Sequence, residues 1–119
     1  MTPKDIAYTG TQITAKLADL PGWRNQEGAL TRPFETDGWP TTLMLVNMIG
    51  FFAEAADHHP DLAVSWSKVV VKLSTHSAKG ITEKDFALAR LIERWALWRP
   101  DAGDSLAGTR RPFVKTGPE

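Results

Sequence analysis

The segment that most restricts the fold of this chain is Trp39–Ala56, in which apolar side chains cover nearly the whole circumference of a helix. Residues 36–38 are turn and capping residues, and Pro40 is tolerated only in a first helical turn, so the helix is expected to begin near Trp39. One sheet face could not bury so many apolar side chains. A second buried face predicts that the helix packs against a partner subunit.

Strand-like segments lie on both sides of this helix. Before it, residues 23–26 and 29–35 predict a hairpin, in which Pro33 would restrict the second strand to an edge or a bulged position. After it, the alternating apolar residues of the range 62–76 predict a second hairpin that turns around Ser67.

Two further helices complete the order of elements. Residues 11–20 have amphipathic helical spacing, and Thr82 is placed to cap a last helix that ends before Pro100. The inward stripe of that last helix is expected to consist of Leu88, Leu91, Ile92 and Trp95. The order α-β-β-α-β-β-α predicts an α+β fold, a two-layer sandwich of one four-stranded antiparallel sheet with helices on one face.

The composition predicts a single domain at 1–99 and a C-terminal extension, rich in glycine and proline, at 100–119. Fourteen basic residues balance fourteen acidic ones, which argues against direct binding of nucleic acid. Cysteine is absent, which excludes disulfides and thiolate chemistry. The first eight residues lack the apolar run of a signal peptide, and no segment reaches the roughly 20 apolar residues of a membrane span, so we expect a cytoplasmic protein.

The three histidines are expected to meet at one edge of the sheet. His58 and His59 stand in a turn that Pro60 restricts, and His76 ends the second hairpin. Because the last strand must return antiparallel beside the strand that leaves this turn, it brings His76 back towards the other two. Imidazoles titrate near neutral pH, so such a cluster can supply both a proton donor and a proton acceptor.

Other interpretations of these residues remain open at this point. Three histidines and a carboxylate also occur in zinc sites, but adjacent histidines diverge and no helical histidine pair exists, so we expect no metal. Asp85 stands at the third position of a capping box that begins at Thr82, which would explain it without catalysis. Trp66 is expected to pack in the core or at its rim.

The spacing of the site residues resembles that of a known family. The stretch 54–60 (Glu-Ala-Ala-Asp-His-His-Pro) is followed by Trp66, by Leu-Ser-Thr-His at 73–76, by Gly80 and by Asp85. This pattern is similar to the signature of the pterin-4a-carbinolamine dehydratases, which in animals also act as a dimerisation cofactor of a homeodomain transcription factor. The resemblance covers Gly22 to about Ala96.

The resemblance implies a function and a mode of assembly. Members of this family remove water from a 4a-hydroxytetrahydropterin and give the quinonoid dihydropterin, as part of tetrahydrobiopterin recycling beside aromatic amino acid hydroxylases. They need no metal and no organic cofactor. They form homodimers and homotetramers through the long helix and the sheet edges, which for this chain implies the helix 39–56.

The resemblance also implies roles for individual residues. His58 and His76 would transfer protons, His59 would hold the substrate or its hydroxyl group, and Asp85 would orient and polarise His76. The residues expected to bind the pterin are Glu54, Asp57, Pro60, Thr75, Ser77 and Ala78. The chain departs from the family in the extension beyond Trp98 and in having Trp66 where tyrosine is common. A non-catalytic assembly or transcriptional coactivator module on the same fold is the alternative function.

Overall fold

The two predicted hairpins form one four-stranded antiparallel sheet, with helices packed on one face. The computed structural model describes residues 5–116, so residues 1–4 of the N-terminal segment and residues 117–119 of the predicted extension lie outside the described residues. The elements are α1 (Gly10–Lys16) with a 3-10 turn (Leu17–Asp19), β1 (Arg24–Gln26), β2 (Ala29–Glu35), α2 (Trp39–Ala56), β3 (Asp61–Ser65), β4 (Lys68–Leu73), a second 3-10 turn (His76–Ala78) and α3 (Glu83–Ala96). The strand order is β1-β2-β4-β3, and the predicted α+β fold is confirmed.

Pro33 lies in an interior strand, so the expectation of an edge or bulged strand is wrong. β2 pairs with β4 along residues 30–35 but with β1 only along residues 29–31. The carbonyl of Glu35 accepts a hydrogen bond from the N–H of Lys115, which lies beyond the end of β1. Backbone groups two residues apart point to the same side of a strand. The backbone of Pro33 therefore points, like that of Glu35, away from β4 and towards the space beyond the end of β1. Its missing N–H costs the β2–β4 ladder no hydrogen bond.

The C-terminal extension fills the space that the short strand β1 leaves open. Val114 forms a β-bridge with Thr36 and is only 3% exposed. The N–H of Asp37 donates to the carbonyl of Phe113, and Arg111 forms an ion pair with the carboxylate of Asp37. The extension therefore docks on its own domain and contributes an apolar side chain to the core.

Helix α2 has one buried face and one exposed apolar face. Its buried residues are Thr41, Thr42, Leu45, Ile49 and Ala53. On the other side Leu43, Met44 and Phe51 are exposed, and Phe51 is 71% exposed. The sheet of a single chain thus leaves much of the apolar circumference uncovered. Within residues 5–116 no helix combines the length and the apolar character needed to cross a membrane.

Helix α3 starts as predicted but buries a different stripe. Thr82 caps it, and the capping box with Asp85 is complete. Its buried residues are Asp85, Phe86, Leu88, Ala89, Ile92 and Ala96. Trp95, which was expected to face inward, is exposed, and so is Trp66 in the turn between β3 and β4. Both tryptophan expectations are therefore wrong. Beside Trp95 the small side chain of Ala96 fills the core instead, whereas Trp66 stands in the exposed turn of the hairpin.

An ion pair between Arg32, which is buried, and Glu93, which is partly buried, joins β2 to α3. The guanidinium group of Arg32, which is buried in β2, donates to Oε1 of Glu93 at 2.8 Å, and Nε1 of Trp23 donates to the same oxygen at 2.8 Å. A Cβ atom at residue 22 would lie only 2.5 Å from Nη1 of Arg32. Gly22 and Trp23 thus have a structural role that joins β2 to α3.

The docking of the extension through Val114 can be tested by its contribution to the free energy of unfolding. Val114→Ala should lower the free energy of unfolding by about 1–3 kcal/mol, because it removes buried methyl groups from a site that cannot fully collapse. Leu106→Ala in the same extension is the control, since Leu106 is exposed and its truncation should change stability by less than about 0.5 kcal/mol. Denaturant unfolding measures both. Equal effects of the two substitutions would contradict docking through Val114.

Candidate active site

All three histidines line one cleft, as the returning hairpin predicted. The cleft lies where the turn between α2 and β3 faces the connection between β4 and α3, and its volume is about 430 Å³. We call it the histidine cleft. Its lining residues are Asp57, His58, His59, Pro60, Asp61, Ser74, Thr75, His76, Ser77 and Lys84.

The end of α2 turns the two adjacent histidines in different directions. Asp57 adopts the left-handed conformation at the C-cap, and the N–H of His58 donates to the carbonyl of Ala53. The side chain of His58 is then only 15% exposed and points to α3, whereas that of His59 is 57% exposed. Nε2 of His59, which lies beyond the end of α2, is 2.8 Å from Oε1 of Glu54 in the last turn of that helix.

A buried carboxylate holds His58 in place. Nε2 of His58 lies 2.6 Å from Oδ1 of Asp85, whose side chain is fully buried. The other oxygen, Oδ2, accepts hydrogen bonds from the hydroxyl of Thr75 at 2.8 Å and from the N–H of Thr82 at 2.9 Å. An ionised Asp85 has no proton to donate, so His58 must be the donor at Nε2. A neutral His58 then keeps its lone pair on Nδ1.

The capping box of α3 and the site are one hydrogen-bonded unit. The hydroxyl groups of Thr75 and Thr82 lie 2.8 Å apart, and the Thr82 hydroxyl also accepts from the N–H of Lys84 at 3.2 Å. The Thr75 hydroxyl has a single proton and donates it to Asp85, so in the bond between the two threonines the Thr82 hydroxyl is the donor. Every member of this chain of hydrogen bonds therefore has a partner, as buried polar groups require.

The partner of Asp85 differs from the one expected. The resemblance implied that Asp85 orients His76, but the hydrogen bond of its carboxylate goes to His58. β4 ends at Leu73, so His76 does not end a strand but begins the 3-10 turn His76–Ala78 and is exposed. Its ring forms no hydrogen bond with any residue in the range 5–116. It reaches the cleft with a free imidazole.

The other predicted binding residues are divided between the cleft and its surroundings. Asp57, Pro60, Thr75 and Ser77 line the cleft, whereas Glu54 and Ala78 do not. Thr75 is buried, and its hydroxyl donates to Asp85. Its backbone N–H donates to the carbonyl of Gly80, and its carbonyl accepts from the N–H groups of Ala78 and Gly80, so its polar groups hold the framework of the cleft.

Three lining residues were missed by the sequence interpretation: Asp61, Ser74 and Lys84. Ser74 belongs to the signature itself, and Asp61 and Lys84 each stand next to a signature residue, so these positions were the available signal.

Charged residues at the start of α3 tie the N-terminal segment to the rim of the cleft. Nζ of Lys84 forms an ion pair with Asp5 at 2.8 Å. The hydroxyl of Tyr8 donates to Glu83 at 2.8 Å, and burial together with this bond raises the pKa of Tyr8. Burial acts to raise the pKa of Glu83, but hydrogen bonds from Arg90 and Tyr8 outweigh it and the pKa of that carboxyl is lowered. Glu83 therefore stays ionised as an anchor for this segment.

A second concavity adjoins the histidine cleft. This helix groove, of about 390 Å³, runs between the end of α2 and the first turns of α3. It shares Asp57, His58 and Lys84 with the cleft. Its remaining lining residues are all apolar: Ala56, Ala87, Leu88 and Leu91. The polar cleft thus continues into an apolar groove with His58 at the boundary.

The described residues show no cluster of three or more histidine, aspartate, glutamate or cysteine side chains arranged to hold a metal ion. Nε2 of His58 and Nε2 of His59 are each bonded to a different carboxylate.

Comparison with known proteins gives the family of the chain. The family model described as pterin 4 alpha carbinolamine dehydratase matches residues 7–95. A relative in Aquifex aeolicus is 46% identical over 82 residues, which are 69% of this chain and 83% of the relative. One in Mycobacteroides abscessus is 45% identical over 85 residues, 71% of this chain and 90% of the relative. Both relatives carry the name pterin-4-alpha-carbinolamine dehydratase provisionally.

A solved structure has the same fold. The crystal structure of a transcriptional coactivator/pterin dehydratase from Brucella melitensis superposes with a TM-score of 0.72 at 32% identity, and the match covers 76% of this chain and 98% of that one. The residues beyond 95, including the docked extension, lie outside the family match. The chain belongs to the pterin-4a-carbinolamine dehydratase family.

Proposed function

We propose that this protein dehydrates a 4a-hydroxytetrahydropterin to the quinonoid dihydropterin by histidine acid/base catalysis. The observation that carries the proposal is the buried pair of His58 and Asp85 at a cleft that also contains His59 and His76. No metal or organic cofactor takes part in the proposed reaction. Family membership supports the substrate class.

The reaction needs one proton donor and one proton acceptor. The bond between C4a and the hydroxyl oxygen breaks, and the oxygen leaves with the electron pair and takes a proton to form water. The neighbouring nitrogen N5 loses its proton, and the electrons of that N–H bond form the double bond between N5 and C4a. General acid/base groups that act on both atoms lower the barrier for such an elimination.

Of the three histidines, His58 is the best placed to act as the base. With Nε2 bonded to Asp85, its Nδ1 can accept the proton from N5. The imidazolium that forms then faces a carboxylate whose other oxygen is held by Thr75 and Thr82. A fixed carboxylate of this kind stabilises the charged ring and fixes its orientation, as in other aspartate–histidine pairs.

His76 and His59 take the remaining roles. The free imidazole of His76 can carry a proton to the departing hydroxyl group. His59, which Glu54 holds at 2.8 Å, would position the hydroxyl or the pterin ring. Asp57, Pro60 and Ser77 provide the polar surroundings for the pterin edge, and Thr75 acts through its hydrogen bond to Asp85. Ala78 and Glu54 would act only from outside the cleft lining.

Removal of either proton-transfer group should slow the reaction strongly. We expect His58→Ala and His76→Ala each to lower kcat by about 10²- to 10⁴-fold, the usual contribution of general acid/base catalysis. The assay follows quinonoid dihydropterin formation from freshly generated 4a-hydroxytetrahydropterin, and thermal unfolding checks that each variant is folded. Leu106→Ala, remote from the cleft, is the control. Equal rates for the wild type and both histidine variants would refute the catalytic assignment.

The product of this reaction must be reduced before it can serve again, and we propose that the protein takes part in tetrahydrobiopterin recycling. An aromatic amino acid hydroxylase is the class of enzyme that would supply the 4a-hydroxypterin. We expect this to take place in the cytoplasm.

The exposed face of α2 supports self-association, as a homodimer or homotetramer. Leu43, Met44 and Phe51 present a row of exposed apolar side chains. β3 pairs on one side only and offers a free sheet edge for the same purpose. Burial of this apolar face in a second copy would remove it from water.

Phe51→Glu should shift the protein from oligomer to monomer, because it places a charge in the centre of the apolar face. Sedimentation velocity at micromolar concentration measures the shift. Leu106→Glu is the matched control, since Leu106 is similarly exposed but lies in the extension. A monomeric wild type, or a Phe51→Glu variant that sediments like the wild type, would contradict association through α2.

The second candidate function is a non-catalytic assembly or transcriptional coactivator module. The name of the Brucella melitensis structure includes coactivator, and the exposed face of α2 could serve a protein partner. The assay above separates the two, because a purely non-catalytic module would not dehydrate the pterin.

A further inference from the structure

We propose that Thr82 is a positioning residue for the dehydration. Its hydroxyl directs the proton of Thr75 to Asp85, and through this carboxylate it keeps His58 in place. This inference rests on the proposed function. Thr82 itself lines neither the histidine cleft nor the helix groove, so its effect on the reaction must pass through the residues that it holds.

The chain contains two capping boxes, and their surroundings differ. In α1 the hydroxyl of Thr9 accepts a hydrogen bond from the N–H of Gln12 at 3.2 Å, and both residues are exposed. The hydroxyl proton of Thr9 can therefore bond to water. In α3 the corresponding residues, Thr82 and Asp85, are fully buried. Their polar atoms must find partners inside the protein.

Burial determines where the hydroxyl proton of Thr82 goes. The Thr82 oxygen accepts from the N–H of Lys84 at 3.2 Å, and within residues 5–116 the partner for its proton is the hydroxyl of Thr75 at 2.8 Å. The Thr75 hydroxyl in turn donates to Oδ2 of Asp85 at 2.8 Å. A hydroxyl that accepts a hydrogen bond becomes a stronger donor, so each bond in this chain strengthens the next.

The donor role of Thr82 is separate from helix capping. A cap needs only the side-chain oxygen, which accepts from the first turn of the helix. Without the Thr82 hydroxyl, the buried oxygen of Thr75 would lose its donor, and its own proton would no longer be directed to Oδ2. Asp85 would then be held less firmly, and so would the ring of His58 that bonds to Oδ1.

The test compares the two capping threonines. Thr82→Ala and Thr9→Ala each remove one cap, and thermal unfolding checks that both variants are folded at the assay temperature. We expect Thr82→Ala to lower kcat for pterin dehydration about tenfold and to change KM by less than about twofold, because Thr82 acts on His58 and not on the substrate. Thr9→Ala should leave both values near those of the wild type. Thr82→Ser restores a donor and should recover most of the lost rate.

Nitrogen-15 NMR of the His58 ring gives a second readout that needs no turnover. We expect Thr82→Ala to raise the fraction of neutral rings that carry the proton on Nδ1, whereas Thr9→Ala keeps the wild-type signal. A wild type that does not dehydrate the pterin contradicts the proposed function, while the ring signal still decides the role of Thr82. Two results would overturn that role: a Thr82→Ala variant that matches Thr9→Ala in rate and ring signal, or a Thr82→Ser variant as slow as Thr82→Ala.

Discussion

The site depends on the hydrogen bonds that the buried Asp85 carboxylate forms. This one side chain joins His58 at the end of α2, Thr75 after β4 and Thr82 at the start of α3. A buried carboxylate without partners would cost several kcal/mol, so these three segments must come together when the protein folds. The same bonds that cap α3 thus also fix the orientation of His58. Helix capping and site geometry cannot be changed independently in this protein.

The sheet brings these segments to one edge. Because β3 and β4 are adjacent and antiparallel, the residues after β4 return to the turn from which β3 left. α2 reaches the same edge from the helical layer, and its left-handed end at Asp57 separates His58 from His59. The result is a polar cleft next to an apolar groove between two helices.

Periodicity predicted the convergence of the histidines but not their partners. His76 had to return to the cleft because antiparallel pairing determines where β4 ends. Asp85 bonds to His58 and not to His76 because Asp57 is left-handed and His76 begins a 3-10 turn. The spacing of apolar residues in strands and helices does not predict either feature. The prediction that Pro33 stands in an edge or bulged strand failed for a similar reason. β1 is too short to pair with β2 at residue 33, so an interior strand can hold a proline there without losing a hydrogen bond. Trp95 follows helical spacing, but smaller neighbours fill the core.

In the proposed mechanism, Asp85 keeps the proton of His58 on Nε2, so that Nδ1 is the nitrogen that accepts a proton. The most direct measurement is nitrogen-15 NMR of the histidine rings in the wild type and in Asp85→Asn, together with the rate of pterin dehydration. At a pH where the ring is neutral, we expect wild-type His58 to carry its proton on Nε2. Asp85→Asn should lose this preference and slow the reaction by about a hundredfold or more. Glu54→Gln, which alters only the exposed partner of His59, should leave the His58 signal unchanged. A neutral wild-type ring with its proton on Nδ1, or an Asp85→Asn variant as fast as the wild type, would contradict this role of Asp85.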